Sequence, residues 1–141
     1  MSSYSLIDHT ADLRVVIEAE NKRELFHEAV KALFFMLTDK TMEEIDLRSR
    51  YISRRVINIA YNNIDDALID FLNQLVFFVD TEQILPYDAR IQIKKNKVHS
   101  RVFFLTDYNN LLQREIKAAT FHNFKIEESE EGFKTAITFD I

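Results

Sequence analysis

The chain contains no cysteine, one glycine and one proline in 141 residues. Without cysteine there is no disulfide frame, thiolate zinc site, iron–sulfur cluster or Cys nucleophile, which fits a reducing compartment. With Gly132 alone, neither a P-loop nor a dinucleotide-binding fingerprint can be built. So little Gly and Pro also excludes collagen-like, linker-rich and low-complexity classes. No apolar run reaches the ~18 residues of a membrane helix. The opening residues Met1 to Ser5 carry neither a basic n-region nor an apolar h-region. A cytoplasmic location without membrane contact is therefore expected. The balance of 18 basic and 23 acidic residues, net -5, argues against nucleic-acid binding by bulk charge and leaves only a local basic patch able to touch RNA.

What is present is 47% hydrophobic residues in a length that suits one domain, taken as residues 1–141. Leu13, Val15 and Ile17 alternate with Arg14, Val16 and Glu18, a strand with one buried face. Asn21 is placed to cap a helix, with Glu24 at capping-box spacing. Leu25, Ala29, Val30, Leu33 and Leu37 form its stripe, and Phe26, Phe34 and Phe35 widen it, so this helix is covered on more than one side. Residues 43–52 show no period. Arg54 to Tyr61 reads as a strand, ended by Asn62-Asn63. Asn63 caps a second helix whose stripe is Leu68, Phe71, Leu72, Leu75, Val76 and Val79. Pro86 falls in the following connection.

Beyond it, Ala89–Lys94 and Val98–Phe104 make a hairpin about Lys95-Asn96-Lys97. A long strand is expected over residues 115–127. An acidic turn ends in Gly132, which supplies positive φ if the turn requires it. A last strand places Phe133, Thr135, Ile137, Phe139 and Ile141 on one face. The order is β-α-β-α-β-β-β-β: an α+β fold with a mostly antiparallel sheet.

Four features carry possible chemistry. Asp8-His9-Thr10-Ala11-Asp12, placed before the first strand, gathers two carboxylates and an imidazole, although Asp and Thr are also ordinary turn formers. Phe139-Asp140-Ile141 sets a side-chain carboxylate beside the carboxylate of Ile141 on an anchored strand. Lys117 lies in an apolar strand that also carries His122, each open to a structural reading as a snorkelling stem or a satisfied core imidazole. Asp65, Asp66 and Asp70 lie on the second helix, Asp66 and Asp70 on one face; the dipole explains Asp65 and Asp66 without any site. No nucleophile elbow, HExxH or other complete catalytic set exists, and the oxygen donors suit Mg²⁺, Ca²⁺ or Mn²⁺.

Taken together, Asp8-His9-Thr10-Ala11-Asp12, the helical run Asp66 to Leu75, Lys117-Ala118-Ala119-Thr120-Phe121-His122 and the ending Ile137-Thr138-Phe139-Asp140-Ile141 resemble the archease family, in the family's order. Phe71, Gln74 and Phe121 stand where the family usually has Trp, Glu and Tyr. The resemblance implies a compact α+β sandwich. It also implies an accessory role, not an enzyme's own turnover: promoting guanylylation and multiple turnover of an RtcB-type RNA ligase in tRNA splicing. The partner is then the ligase, with tRNA met only indirectly. Carried over by position, the family's metal site falls on Asp12, Asp140 and Ile141, with Ca²⁺ or Mg²⁺/Mn²⁺ as cofactor, and its important lysine on Lys117. Asp8, His9 and His122 would stand around that site. Two other readings are a general chaperone or protein-binding modulator and a metal-dependent phosphohydrolase.

Overall fold

In the computed structural model, residues 2–8, 12–106 and 110–141 are described. Two antiparallel sheets flank two α-helices. The chain runs β1 (Ser3–Asp8), β2 (Asp12–Ala19), α1 (Lys22–Thr38), β3 (Ile52–Ala60), α2 (Ile64–Glu82), β4 (Leu85–Lys94), β5 (Lys97–Leu105), β6 (Ala118–Thr120), β7 (Glu127–Ser129) and β8 (Gly132–Asp140). Short 3₁₀ turns at Met42–Glu44 and Leu47–Ser49 fill the aperiodic stretch between α1 and β3. One sheet has the order β1-β2-β8-β6, with β7 paired to β8, and the other β3-β5-β4. The α+β class expected from the order of elements is what is observed.

Both helices begin as their caps foretell. The Asn21 side chain accepts from the Glu24 N–H at 2.8 Å, and Asn63 from that of Asp65 at 2.8 Å. The Glu24 carboxylate turns instead to the Ser2 hydroxyl at 2.6 Å, a bond that holds its pKa below the ordinary glutamate value. Each helix ends on a left-handed residue, Asp39 or Gln83.

Helix α1 packs against β1, β2 and β8 of one sheet and β4 of the other, while α2 packs against β6, β3 and β4. Burial from both sides explains why Phe26, Phe34 and Met36 are as enclosed as the main stripe of α1. Phe26 meets Phe71 of α2 edge-on, with ring centroids 5.5 Å apart. Phe104 and Phe139 bring the two sheets into the same apolar cluster.

Three expectations need correction. The cluster at residues 8–12 does not precede the first strand. It joins β1 to β2, because Tyr4 and Leu6 alternate with Ser3 and Ser5 and pair with Ile17 and Val15. The expected long strand over 115–127 holds only β6, since the chain turns after Thr120 with Asn123 at φ 51°, and β7 starts at the last residue of that range and takes the beginning of the expected acidic turn. Pro86 lies inside β4, not in a connection. It is tolerated there because β4 is an edge strand and its register shifts between Pro86 and Asp88. The hairpin turn is as expected, with Lys95 and Asn96 both at positive φ. Among the described residues no helix is long and apolar enough to cross a membrane.

Candidate functional site

Strand β8 lies between β2 and β6, and its register assembles the site. Asp12 is directly opposite Asp140, and Asp140 is directly opposite Ala118. Residues opposed in an antiparallel pair project to the same face, so the two carboxylates stand side by side on the outer face. The next row inward, Leu13, Phe139 and Ala119, is buried and fixes that orientation. Lys117 enters the same end: its backbone N–H donates to the Asp140 carbonyl at 2.8 Å. Ile141 follows Asp140 directly and packs partly on the core.

The electrostatics of the β2–β8 pair differ at its two ends. Glu18 is opposite Lys134 with a 3.4 Å ion pair, the favourable arrangement. Asp12 and Asp140 are like charges in the same relation, which costs stability. Arg14 is the nearest cation in register on that face, opposite Thr138. Among the described residues neither Asp12 nor Asp140 makes an ion pair.

Two hard carboxylates held together without a fixed counter-charge fit a divalent cation. Among the described residues, no three His, Asp or Glu side chains gather to hold a metal unaided. The donor set is therefore incomplete by protein side chains alone. That suits a Mg²⁺- or Mn²⁺-type ion, which keeps waters and shares ligands with phosphate, better than a closed Ca²⁺ cage of about 6–8 oxygens.

The other expected residues are placed as follows. Asp8 ends β1 with its backbone paired to Leu13, one row from Asp12. His9 lies outside the described residues. Lys117 is exposed and precedes β6, so it is not a desolvated strand lysine. His122 is exposed in the turn after β6, on the far side of Thr120 from Asp140, and is not brought to the two aspartates. Asp65, at the start of α2, accepts from the Ile126 N–H at 3.3 Å, a structural contact.

Asn73 is the residue that sequence reasoning overlooked, although it sits within the helical run quoted for the resemblance. Its side-chain amide donates to the Ala119 carbonyl at 3.0 Å and accepts from the Ala119 N–H at 2.8 Å. Strand β6 is a sheet edge of three residues, and the amide completes its free side as another strand would. Asn73 thus positions the segment that presents Lys117. Asn73→Ala is expected to leave Ala119 unsatisfied and cost about 1–3 kcal/mol. Asn73→Asp should cost more above its carboxyl pKa, because a carboxylate oxygen would face the Ala119 carbonyl. Thermal melts of both variants, with hydrogen exchange at Ala119, check this ordering.

The class is a two-helix α+β fold of two antiparallel sheets, in one of which β2 and β8 set two carboxylates side by side. The family model of the Archease protein family (MTH1598/TM1083) matches residues 4–141, so the chain belongs to the archease family. It is 26% identical over 142 residues to Protein archease of Archaeoglobus fulgidus, covering 98% of each chain. It is 26% identical over 146 residues to that of Thermoplasma acidophilum, covering 99% of this chain and 94% of the relative. The solution structure of Methanobacterium thermoautotrophicum protein 1598 superposes with a TM-score of 0.72 at 24% identity, over 98% of both chains. An archease from Thermotoga maritima, described as a possible chaperone, superposes with a TM-score of 0.63 at 22% identity, over 96% of this chain and 94% of the other.

Proposed function

We propose that this protein is a cytoplasmic accessory factor of an RtcB-type RNA ligase, promoting ligase guanylylation and so multiple turnover in tRNA splicing. The observation that carries the reading is the register of β2 on β8, which sets Asp12 against Asp140 beside the Lys117 segment. In phosphoryl transfer little covalent work falls to the protein; placement and charge neutralisation dominate. Asp12, Asp140 and Ile141 would hold a divalent cation, which supplies charge neutralisation at phosphoryl oxygens. Asp12 and Asp140 orient the tip, and Lys117 offers an exposed ammonium to a phosphate. Strand pairing on both sides of β8 keeps these groups on a rigid frame, which is what positioning requires.

The test is guanylylation of the ligase from the same organism, followed with labelled GTP and Mn²⁺. Adding this protein is expected to raise the rate of ligase–GMP formation and allow more than one ligation per ligase. An unchanged rate at stoichiometric protein would refute the reading. The general-chaperone reading would rest on exposed apolar side chains. Among the described residues these are Leu47, Tyr51, Ile52, Val56, Phe77 and Phe121; Tyr51, Ile52 and Val56 lie at or on β3 and the other three on separate elements.

A further inference from the structure

The outer face of the β3-β5-β4 sheet is strongly basic in a protein whose net charge is -5. Its second row, read across the sheet, is Val56, Arg101 and Arg90; the third is Asn58, His99 and Gln92. All six side chains but none of their inward neighbours are exposed, and they line a shallow groove of about 300 Å³. Lys97 is opposite Lys94 in the fourth row, and Arg54 opens the first, opposite Phe103. The acidic residue at the outward positions of these strands is Asp88, and its Oδ1 lies 2.7 Å from His27 Nε2.

Two features of this face ask for an anion. Arg90 stands directly opposite Arg101, and Lys94 directly opposite Lys97, each a like-charge pair that weakens the sheet. Among the described residues none of Arg54, Arg90, Lys94, Lys97 and Arg101 makes an ion pair with a carboxylate. An unpaired, spatially ordered set of guanidinium and ammonium groups matches a chain of phosphates.

We propose that this sheet face binds single-stranded RNA. Arg90, Arg101, Lys94, Lys97 and Arg54 engage backbone phosphates. Asn58, Gln92 and His99, in the row between the two like-charge pairs, supply donors and acceptors for base edges and 2′-hydroxyls. His99 and the half-buried Phe103 offer ring surfaces on which bases stack. An acidic protein partner is the weaker fit. A protein interface is centred on buried aromatic or aliphatic anchors, whereas the centre of this face is cationic and polar. RNA contact would then be direct, on a different sheet from the aspartate pair. The inference goes beyond the ligase reading and does not need it.

The test uses the full chain without any ligase and a fluorescently labelled single-stranded RNA of about 12 nucleotides, within the usual span of such sites. Anisotropy titrations at several salt concentrations are expected to show binding that weakens steeply with salt. Each phosphate contact contributes about -0.7 to the slope of log K against log salt. Arg90→Glu with Arg101→Glu should lower affinity roughly tenfold or more and flatten the slope by about 1.4. Arg90→Gln with Arg101→Gln removes a repulsive pair, so it should melt no lower than the parent protein while still losing affinity and slope. It carries the test if the charge reversal misfolds. No binding by the parent protein at low salt, or unchanged affinity in the glutamine variant, would overturn the proposal. So would displacement of the RNA by polyglutamate at equal charge, which would mark a docking face for acidic protein.

Discussion

Asp12→Asn and Asp140→Asn are each expected to cut the proposed stimulation of ligase guanylylation roughly a hundredfold or more, while leaving the fold intact. The size follows from what one preorganised charge-stabilising group contributes in phosphoryl and acyl transfer. Survival of the fold follows from the register. Both side chains lie on the outer face, Asp140 exposed, and the buried partners of those strands are Leu13, Ile137 and Phe139. Stability should even rise slightly in metal-free buffer. Each substitution removes one of two like charges held opposite each other, an interaction of about 0.2–1 kcal/mol. With Mn²⁺ the order should reverse: the parent protein melts higher as metal binds the native state, and the variants do not respond. Paired melts with and without Mn²⁺, run beside the guanylylation assay, give three readouts. A variant that stimulates the ligase normally, or a parent protein whose melt ignores the metal, would remove the carboxylate tip from the mechanism.

The two members of that pair are near opposite ends of the chain, and this is why the site was only partly legible. Local signals served well where the physics is local. Asn21 and Asn63 cap their helices, the Phe-rich first helix is buried on both sides, and Lys95-Asn96 makes the hairpin turn. The parity of the last strand was readable because Thr135, Ile137 and Phe139 are buried while Lys134 and Asp140 are exposed. Pairing is different, since nothing within β2 says that β8 is its neighbour. The family resemblance implies a shared role for Asp12 and Asp140; strand pairing sets the two opposite each other.

The misread segments failed for nameable reasons. Strand β1 has only two apolar residues on its parity, Tyr4 and Leu6, too few to stand out from a polar start. Ile116, Ala118 and Thr120 share one parity, yet the buried residue of β6 is Ala119. That parity is set by Phe139 across the strand and Asn73 behind it, both distant in sequence. The basic sheet face was hidden in the same way. Arg90, Gln92 and Lys94 alternate visibly along one strand, but only pairing stacks them beside His99, Arg101 and Lys97.

Gly132→Ala should cost about 3 kcal/mol or more of stability. Gly132 opens β8 at φ 128°, where an L side chain is strained by about 1–3 kcal/mol. There is also no room. A Cβ would lie 2.3 Å from the Ala19 carbonyl oxygen and 3.0 Å from the Glu20 Cα, both backbone atoms that cannot swing aside. The contact is made at the far end of the β2–β8 pair from Asp12, where Ala19 pairs with Phe133. Relief therefore requires β8 to lift from β2 or to shift along it. A shift by one residue would turn Phe139 outward and Asp140 into the core, so the register resists it. The expected result is a lowered midpoint in urea with guanylylation lost in parallel with folding. This separates it from Asp12→Asn, which should lose activity while the folded fraction stays whole. A Gly132→Ala protein with unchanged stability would mean that β8 can be redocked on β2 at little cost. The fixed opposition of Asp12 and Asp140, on which the proposed activating role depends, would then have no structural basis.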